Sequence, residues 1–276
     1  MAQLAEGHAY YGDYGANALE WYHRCARQVL YLNHVLIDPP VDRHRLRSDV
    51  TDVFVTVTGE DDNGIRVSGA KMVATGSALT HGTFVAVNSG TVARMEPGRD
   101  DHMALVFMVD MATPGLKLIC RPSYEAAARH PFEAPLAARF DENDAVVVFD
   151  DAFVPWENVF VYRDVARAKG FYAESGFFNR YNLHSTTRLA IKLEFAAGLL
   201  AKCAEAAGTH EFRGVQAAVG EIIAMRELLW SLTMAMVAEP EAGIGGTVVP
   251  RLQTAAAARL YATNAWSRVR ELFETQ

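Results

Sequence analysis

Cysteine is scarce in this chain, while basic runs, membrane-length apolar stretches and glycine-rich phosphate loops are missing altogether. Cys25, Cys120 and Cys203 lie far apart with no CxxC or paired spacing, which argues against a disulfide framework and a zinc site. They read as buried small apolar side chains in a reducing compartment. The 26 Lys+Arg are outnumbered by 33 Asp+Glu, a net charge of -7, and no cluster of them is suited to neutralising phosphates. Nucleic acid is therefore not an expected partner. The longest apolar segment, Leu189 to Ala207, is broken by Lys192, Glu194, Lys202 and Glu205, so no membrane span is expected. The opening residues carry no basic region followed by an apolar run and do not read as a signal peptide, so a cytoplasmic location is expected. Val67-Ser-Gly-Ala-Lys71 has one glycine and Gly243-Ile-Gly-Gly246 falls between helical segments, which argues against a Rossmann or P-loop nucleotide site. Neither HExxH nor GxSxG occurs, leaving no sign of a zinc protease or a serine hydrolase.

What is present is ample core-forming material: 276 residues, 50% hydrophobic and 21% charged, enough for one large domain or two ordinary ones. From Tyr14 to Leu36 the spacing of Leu19, Tyr22, Cys25, Val29, Leu32 and Leu36 predicts a helix, stopped by Pro39-Pro40. Between about Asp49 and Val161 the texture changes to short β-branched runs: Val53–Val57, Ile65–Val67, Thr83–Val87, Ala104–Val109, Leu116–Ile119 and Ala145–Phe149. Asp61-Asp62-Asn63-Gly64 between the first two is hairpin chemistry, and Pro114-Gly115 and Asp141 to Asp144 supply later turns. Strands at this spacing predict an antiparallel barrel or sandwich. Three Ala-, Leu-, Glu- and Arg-rich helices are then expected over Thr186–Ala207, Gly214–Ala238 and Pro250–Phe273. The class is α+β: the end of an N-terminal helical domain over 1–48, a central antiparallel β-barrel domain over 49–161, and a C-terminal helical bundle over 162–276.

One segment combines a histidine, an apolar run, two prolines and a charged pair: Tyr31-Leu-Asn-His-Val-Leu-Ile-Asp-Pro-Pro-Val-Asp-Arg43. By itself a histidine in such a place is usually a hydrogen-bonded core residue. The segment, however, resembles the signature of the 4-hydroxyphenylacetate 3-monooxygenase oxygenase-component family. Four further stretches match in order: Asp62 to Thr75, Gly115 to Tyr124, Arg139 to Asp144 and Phe149 to Val161. Together they are spread over residues 31 to 161, about half the chain.

The resemblance implies an acyl-CoA dehydrogenase fold, which agrees with the helix, β-domain, helix order read independently. It implies reduced FAD delivered by a separate reductase, a flavin hydroperoxide formed with oxygen, and hydroxylation of a phenol ortho to its oxygen. Carried over residue by residue, His34 becomes the catalytic group that hydrogen-bonds the phenol and the reactive end of the flavin; an imidazole titrates near neutrality and can share that proton. Val35 and Leu36 would line the flavin, and Pro40, Val41, Asp42 and Arg43 would hold it, Arg43 suiting a pyrophosphate or ring carbonyl. The pair Asp42-Arg43 is equally readable as a solvated pair. Thr75 would hydrogen-bond the isoalloxazine, and Asn88 and Ser89 would sit above the substrate. Trp156 reads as a packing residue. No metal site is expected.

The family's Arg-Ser-Pro-Asp-Tyr-like motif would fall before Met1, and its last helices would follow Gln276, so the resemblance implies a piece of a longer chain. Two other flavoenzymes are alternatives. A 4-hydroxybutyryl-CoA dehydratase would want a tyrosine where Arg188 stands and a cysteine where Ile191 stands, with only His184 retained; an acyl-CoA dehydrogenase would take its carboxylate from helices beyond Gln276. A non-catalytic helical assembly module is a further alternative, and family members form dimers or tetramers through such helices. The phenol could be free hydroxyphenylacetate, a tyrosine derivative, or a tyrosine-like unit tethered to a carrier protein.

Overall fold

Ala18, Trp21 and Cys25 recur at helical steps and bury one face of a helix; of the positions whose spacing predicts that helix only Cys25 is on the buried face, Leu19 and Tyr22 being half-buried and Val29 exposed. In the computed structural model, which describes residues 1–40, 50 and 52–276, that helix is α2 (Gly15–Gln28), preceded by the short α1 (Ala2–Glu6). It stops at Gln28, well before the expected Leu36. Val29 adopts a left-handed φ of 52° and the Leu30 amide donates to the Cys25 carbonyl at 3.3 Å, a helix-ending geometry in which glycine is commoner. The chain then runs as strand β1 (Leu32–Val35). His34 therefore lies inside a strand, which corrects the expectation of a helix end. The cause is tertiary. Leu32 and Leu36 satisfy helical spacing, but pairing with a neighbouring strand seats Val35 at 0% exposure in the core, and burial outweighs local propensity.

The following strands are β2 (Thr56–Asp61), β3 (Gly64–Lys71) and β4 (Gly82–Ala86); a short helix, α3 (Ser89–Val92), leads to β5 (Leu105–Asp110) and β6 (Leu116–Cys120). Another helical turn, α4 (Tyr124–Ala127), precedes β7 (Ala145–Pro155) and β8 (Val159–Tyr162). Asp61 folds the β2–β3 hairpin as expected, its carboxylate accepting from the amides of Asn63 (2.7 Å) and Gly64 (3.2 Å). Among the described residues the pairings form two open four-stranded sheets, ordered β1-β4-β5-β8 and β2-β3-β7-β6, with no closed barrel. Within residues 49–161 every pairing is antiparallel, as expected; the parallel pair comes from β1, which lies before that segment and joins β4 with Val35 opposite Val85. The inward faces meet in one core of Val35, Val85, Phe107 and Val109 from the first sheet and Ile65, Val67, Val147 and Phe149 from the second. Phe107 and Phe149 join the layers edge to face at 5.8 Å.

The chain divides into two compact units, Met1–Phe171 and Tyr172–Gln276, with helix α5 (Val165–Glu174) running across the division. The second unit consists of α6 (Phe177–Ala207), α7 (Arg213–Ala238), a small ribbon of β9 (Glu241–Ala242) and β10 (Val248–Val249), and α8 (Leu252–Thr275). Its three long helices fall where composition predicts them. Gly208, at φ 70°, ends α6 in the left-handed conformation that glycine adopts without steric cost. Leu193, Ile222, Leu229 and Leu272 fill the core between the helices. Only Cys25 is buried; Cys120 and Cys203 are exposed, on edge strand β6 and the outer side of α6, which corrects the expectation of three buried thiols. No described helix is long and apolar enough to cross a membrane.

Candidate active site

Alternation along β1 sends Val35 inward and His34 outward. His34 registers with Phe84 on β4, and Phe84 stacks with Phe160 (6.1 Å) and Phe171 (5.7 Å), so the imidazole stands beside an aromatic group on the outer face of the first sheet. Because β1 is an edge strand, its free side is open to the turn that follows β3. The Ile37 carbonyl accepts from the Met72 amide at 2.9 Å, and Asn33 Nδ2 donates to the Thr75 carbonyl (3.1 Å) and Ser77 Oγ (2.7 Å). These bonds lay the turn of Val73 to Thr75 against the histidine strand.

That turn is unusual. Val73 has φ 59°, a region that β-branched residues rarely occupy, and presents its side chain to solvent. Thr75 is exposed and its hydroxyl donates to the Asp144 carboxylate, leaving oxygen lone pairs as acceptors. The Gly76 amide donates to the Asn143 carbonyl at 2.8 Å. The side-chain oxygens of Asn33 and Asn143, both buried, have no hydrogen-bond partner among the described residues. Around the turn Tyr31, Ile37, Val73 and Leu79 remain exposed apolar groups.

Beneath lies a buried charged group that sequence reading missed. Lys71 Nζ donates to Asp38 Oδ1 at 2.6 Å, with side-chain exposures of 3% and 9%, and reaches the Leu36 carbonyl at 3.5 Å. Thr91 Oγ1, on α3, donates to the other oxygen of the same carboxylate. Asn88 caps α3 by accepting from the Gly90 amide at 2.9 Å, and Ser89 is exposed. The structure thus gathers His34, Thr75, Asn88 and Ser89 on or beside elements linked through Asn33, Lys71, Asp38 and Thr91. Val35 is buried in the sandwich, so only its backbone could face a ligand; Leu36 is half-buried and Pro40 is exposed. Val41, Asp42 and Arg43 lie outside the described residues.

Trp156 packs, its indole donating to the Asp61 carbonyl at 2.9 Å and its ring meeting Tyr162 edge to face at 5.0 Å. An open cleft of about 580 Å³ lined by Arg66, Asp110, Asp150 and Asp151 contains none of the candidate residues. Its carboxylates are each paired: Arg66–Asp151 at 2.9 Å, Lys117–Asp150 at 2.6 Å and Arg24–Asp110 at 3.2 Å. No described cluster of histidines, cysteines and carboxylates could hold a metal ion.

A flavin fits the turn's chemistry. Its ring faces need apolar surface, which the exposed rim supplies, and its polar edge needs a partner, which the exposed Thr75 Oγ1 supplies.

The fold defines the class first. A probable acyl-CoA dehydrogenase from Mycobacterium abscessus shares it with a TM-score of 0.58 at 14% identity, over 92% of this chain and 60% of that one. The crystal structure of the oxygenase component (HpaB) of 4-hydroxyphenylacetate 3-monooxygenase, complexed with FAD and 4-hydroxyphenylacetate, matches with a TM-score of 0.89 at 29% identity, over 98% of this chain and 56% of that one. The chain is thus mixed helix and sheet on an acyl-CoA dehydrogenase-like plan. Within that class, residues 1–161 match the family model for the 4-hydroxyphenylacetate 3-hydroxylase N terminal and residues 168–275 that for its C terminal. The chain belongs to the 4-hydroxyphenylacetate 3-hydroxylase family. It is 52% identical to the pyoverdin chromophore biosynthetic protein PvcC of Pseudomonas aeruginosa over 100% of this chain and 55% of that protein. It is 45% identical to the 4-hydroxyphenylacetate 3-monooxygenase oxygenase component of the same organism, over 98% of this chain and 52% of that protein. The chain spans about half the length of these curated relatives.

Proposed function

We propose that the chain carries the flavin- and phenol-facing part of a two-component monooxygenase that hydroxylates a phenol ortho to its hydroxyl group. The observation that carries this is the outward-facing His34 on β1, tied by Asn33 to the Thr75 turn and beside an apolar rim. FAD, delivered reduced by a separate reductase, would supply oxygen activation. The protein's own part is to bind, orient and exclude water. Tyr31, Ile37, Val73 and Leu36 provide apolar surface that keeps water from the flavin, Thr75 accepts a hydrogen bond from it, and Pro40, Val41, Asp42 and Arg43 would contribute further flavin contacts. His34 holds the phenolic proton, accepting it as the ring becomes electron-rich and returning it once the new C–O bond is made. Asn88 and Ser89 close the substrate side. The parts on which this reading rests are an N-terminal part (1–48), a β-domain (49–161) and a helical part (162–276).

The relatives' names support a phenolic substrate and a separate reductase. A dehydratase is disfavoured because α6 offers His184 with Arg188 and Ile191 in place of the tyrosine and cysteine required. The exposed Ile191, Phe195 and Leu199 on α6 and Met234 and Val237 on α7 support assembly into a dimer or tetramer. The test is to supply the protein with reduced FAD and oxygen and to analyse products from hydroxyphenylacetate, a tyrosine derivative and a carrier-tethered tyrosine unit. A catechol from one of them is expected; flavin binding with no catechol from any would sink the proposal.

A further inference from the structure

We infer that Asp38 is a positioning residue whose carboxylate sets the spacing between the histidine strand and the Asn88–Ser89 segment. The role rests on the phenol-hydroxylase reading above and deepens it. Asp38 lies just beyond β1, four positions after His34, and its two oxygens serve different elements. Oδ1 takes Lys71 Nζ at the end of β3 (2.6 Å), and Oδ2 takes the Thr91 hydroxyl on α3. The Thr91 and Val92 amides in turn donate to the Asn88 carbonyl at 3.0 and 2.8 Å, so what fixes Thr91 also fixes Asn88 and Ser89. Thr91 is buried, and so are both charged side chains.

Burial makes this linkage stiff. A charge removed from water is tolerated only while its partners stay within bonding distance, so neither Lys71 nor Asp38 can drift without exposing the other to an uncompensated field. A surface pair would exchange with water and transmit no position. Apolar side chains of similar volume would pack here at no loss of stability, but packing without direction does not assign one oxygen to β3 and the other to α3. The geometry thus joins a third segment, the one above the substrate, to the end of β1 and the base of the Thr75 turn, which backbone and Asn33 hydrogen bonds already hold together.

Two variants of the full chain test the assignment. Thr91→Val keeps the shape and removes only the hydroxyl bond; Asp38→Leu combined with Lys71→Met removes both charges of the pair together. Hydrogen exchange at the Val92 and Ala93 amides is measured, with equilibrium titration of a phenol, 4-hydroxyphenylacetate, into the FAD-loaded protein. Thr91→Val is expected to speed exchange and raise the phenol Kd roughly tenfold, the equivalent of one lost hydrogen bond, with FAD affinity unchanged. The double variant is expected to fold and to show the same phenol defect. Unchanged exchange, or faster exchange with unchanged phenol affinity, overturns the role. If the double variant does not fold, Thr91→Val decides alone. A wild-type chain that takes up FAD but binds no phenol overturns the hydroxylase reading itself, a result distinct from a wild type that binds and a Thr91→Val that binds equally.

Discussion

Val73 holds a conformation that its own side chain opposes. A β-branched residue in the left-handed region costs roughly 1–2 kcal/mol, so Val73→Gly is expected to stabilise the fold by about 0.5–1 kcal/mol once the extra entropy of glycine is deducted. A higher urea midpoint with an unchanged slope is the readout. At Asp38 the sign reverses: Asp38→Ala leaves Lys71 charged and buried, and a loss of about 3–5 kcal/mol is expected in the same measurement. His34→Ala should bind FAD as before while catechol formation falls by roughly 10²–10⁴-fold, the range of a lost general acid–base group. Undiminished product in that variant removes His34 from the mechanism. Legibility differed sharply among these residues. His34 could be singled out only through the family resemblance, since a lone histidine carries no pattern. The Lys71–Asp38–Thr91 group was not legible, because the three are brought together by strand pairing that no local period encodes.

At the scale of elements, readability followed the range of the forces involved. The β2–β3 hairpin was legible because Asp61 bonds the amides two and three residues ahead, and the three long helices because their composition and apolar spacing act within a few turns. β1 was misread as helix because its decisive partner, β4, lies some fifty positions on (Leu32 opposite Gly82), and because α2 ends at a valine without any glycine signal. Helix α7 is joined to α8 by a bidentate pair, Arg268 Nε and NH2 to the two oxygens of Glu221 at 2.7 and 2.9 Å. The guanidinium holds the Glu221 carboxyl below its ordinary range. A depressed folded value means the contribution is complete above the unfolded pKa and disappears as pH falls through the folded one. Glu221→Gln should therefore lower the unfolding midpoint slightly at pH 7, and the gap should close as both proteins are titrated into acid. A gap that persists below the carboxylate range would assign the effect to packing.

For the whole molecule, the mixed helix-and-sheet class and its family were legible from order and motif, whereas the two open sheets and the parallel β1–β4 pair were not, since closure and strand direction depend on how distant segments meet. The exposed apolar residues of α6 and α7 belong to this scale too. Light scattering on the purified chain is expected to give a dimer or tetramer, and Phe195→Asp, which sets a charge among Ile191 and Leu199, should shift it towards monomer. A monomeric wild type would assign that surface elsewhere.

The short connection from Val29 to Tyr31 gains a meaning from the alternation of β1. Since successive strand residues face opposite ways, removing one residue there and keeping the ladder would turn His34 into the sandwich and Val35 out to solvent. A two-residue insertion could be absorbed as a longer loop with parity intact. Chain length at this point is thus an odd-or-even variable: a single deletion at Leu30 should abolish hydroxylation more completely than most point changes in the same segment.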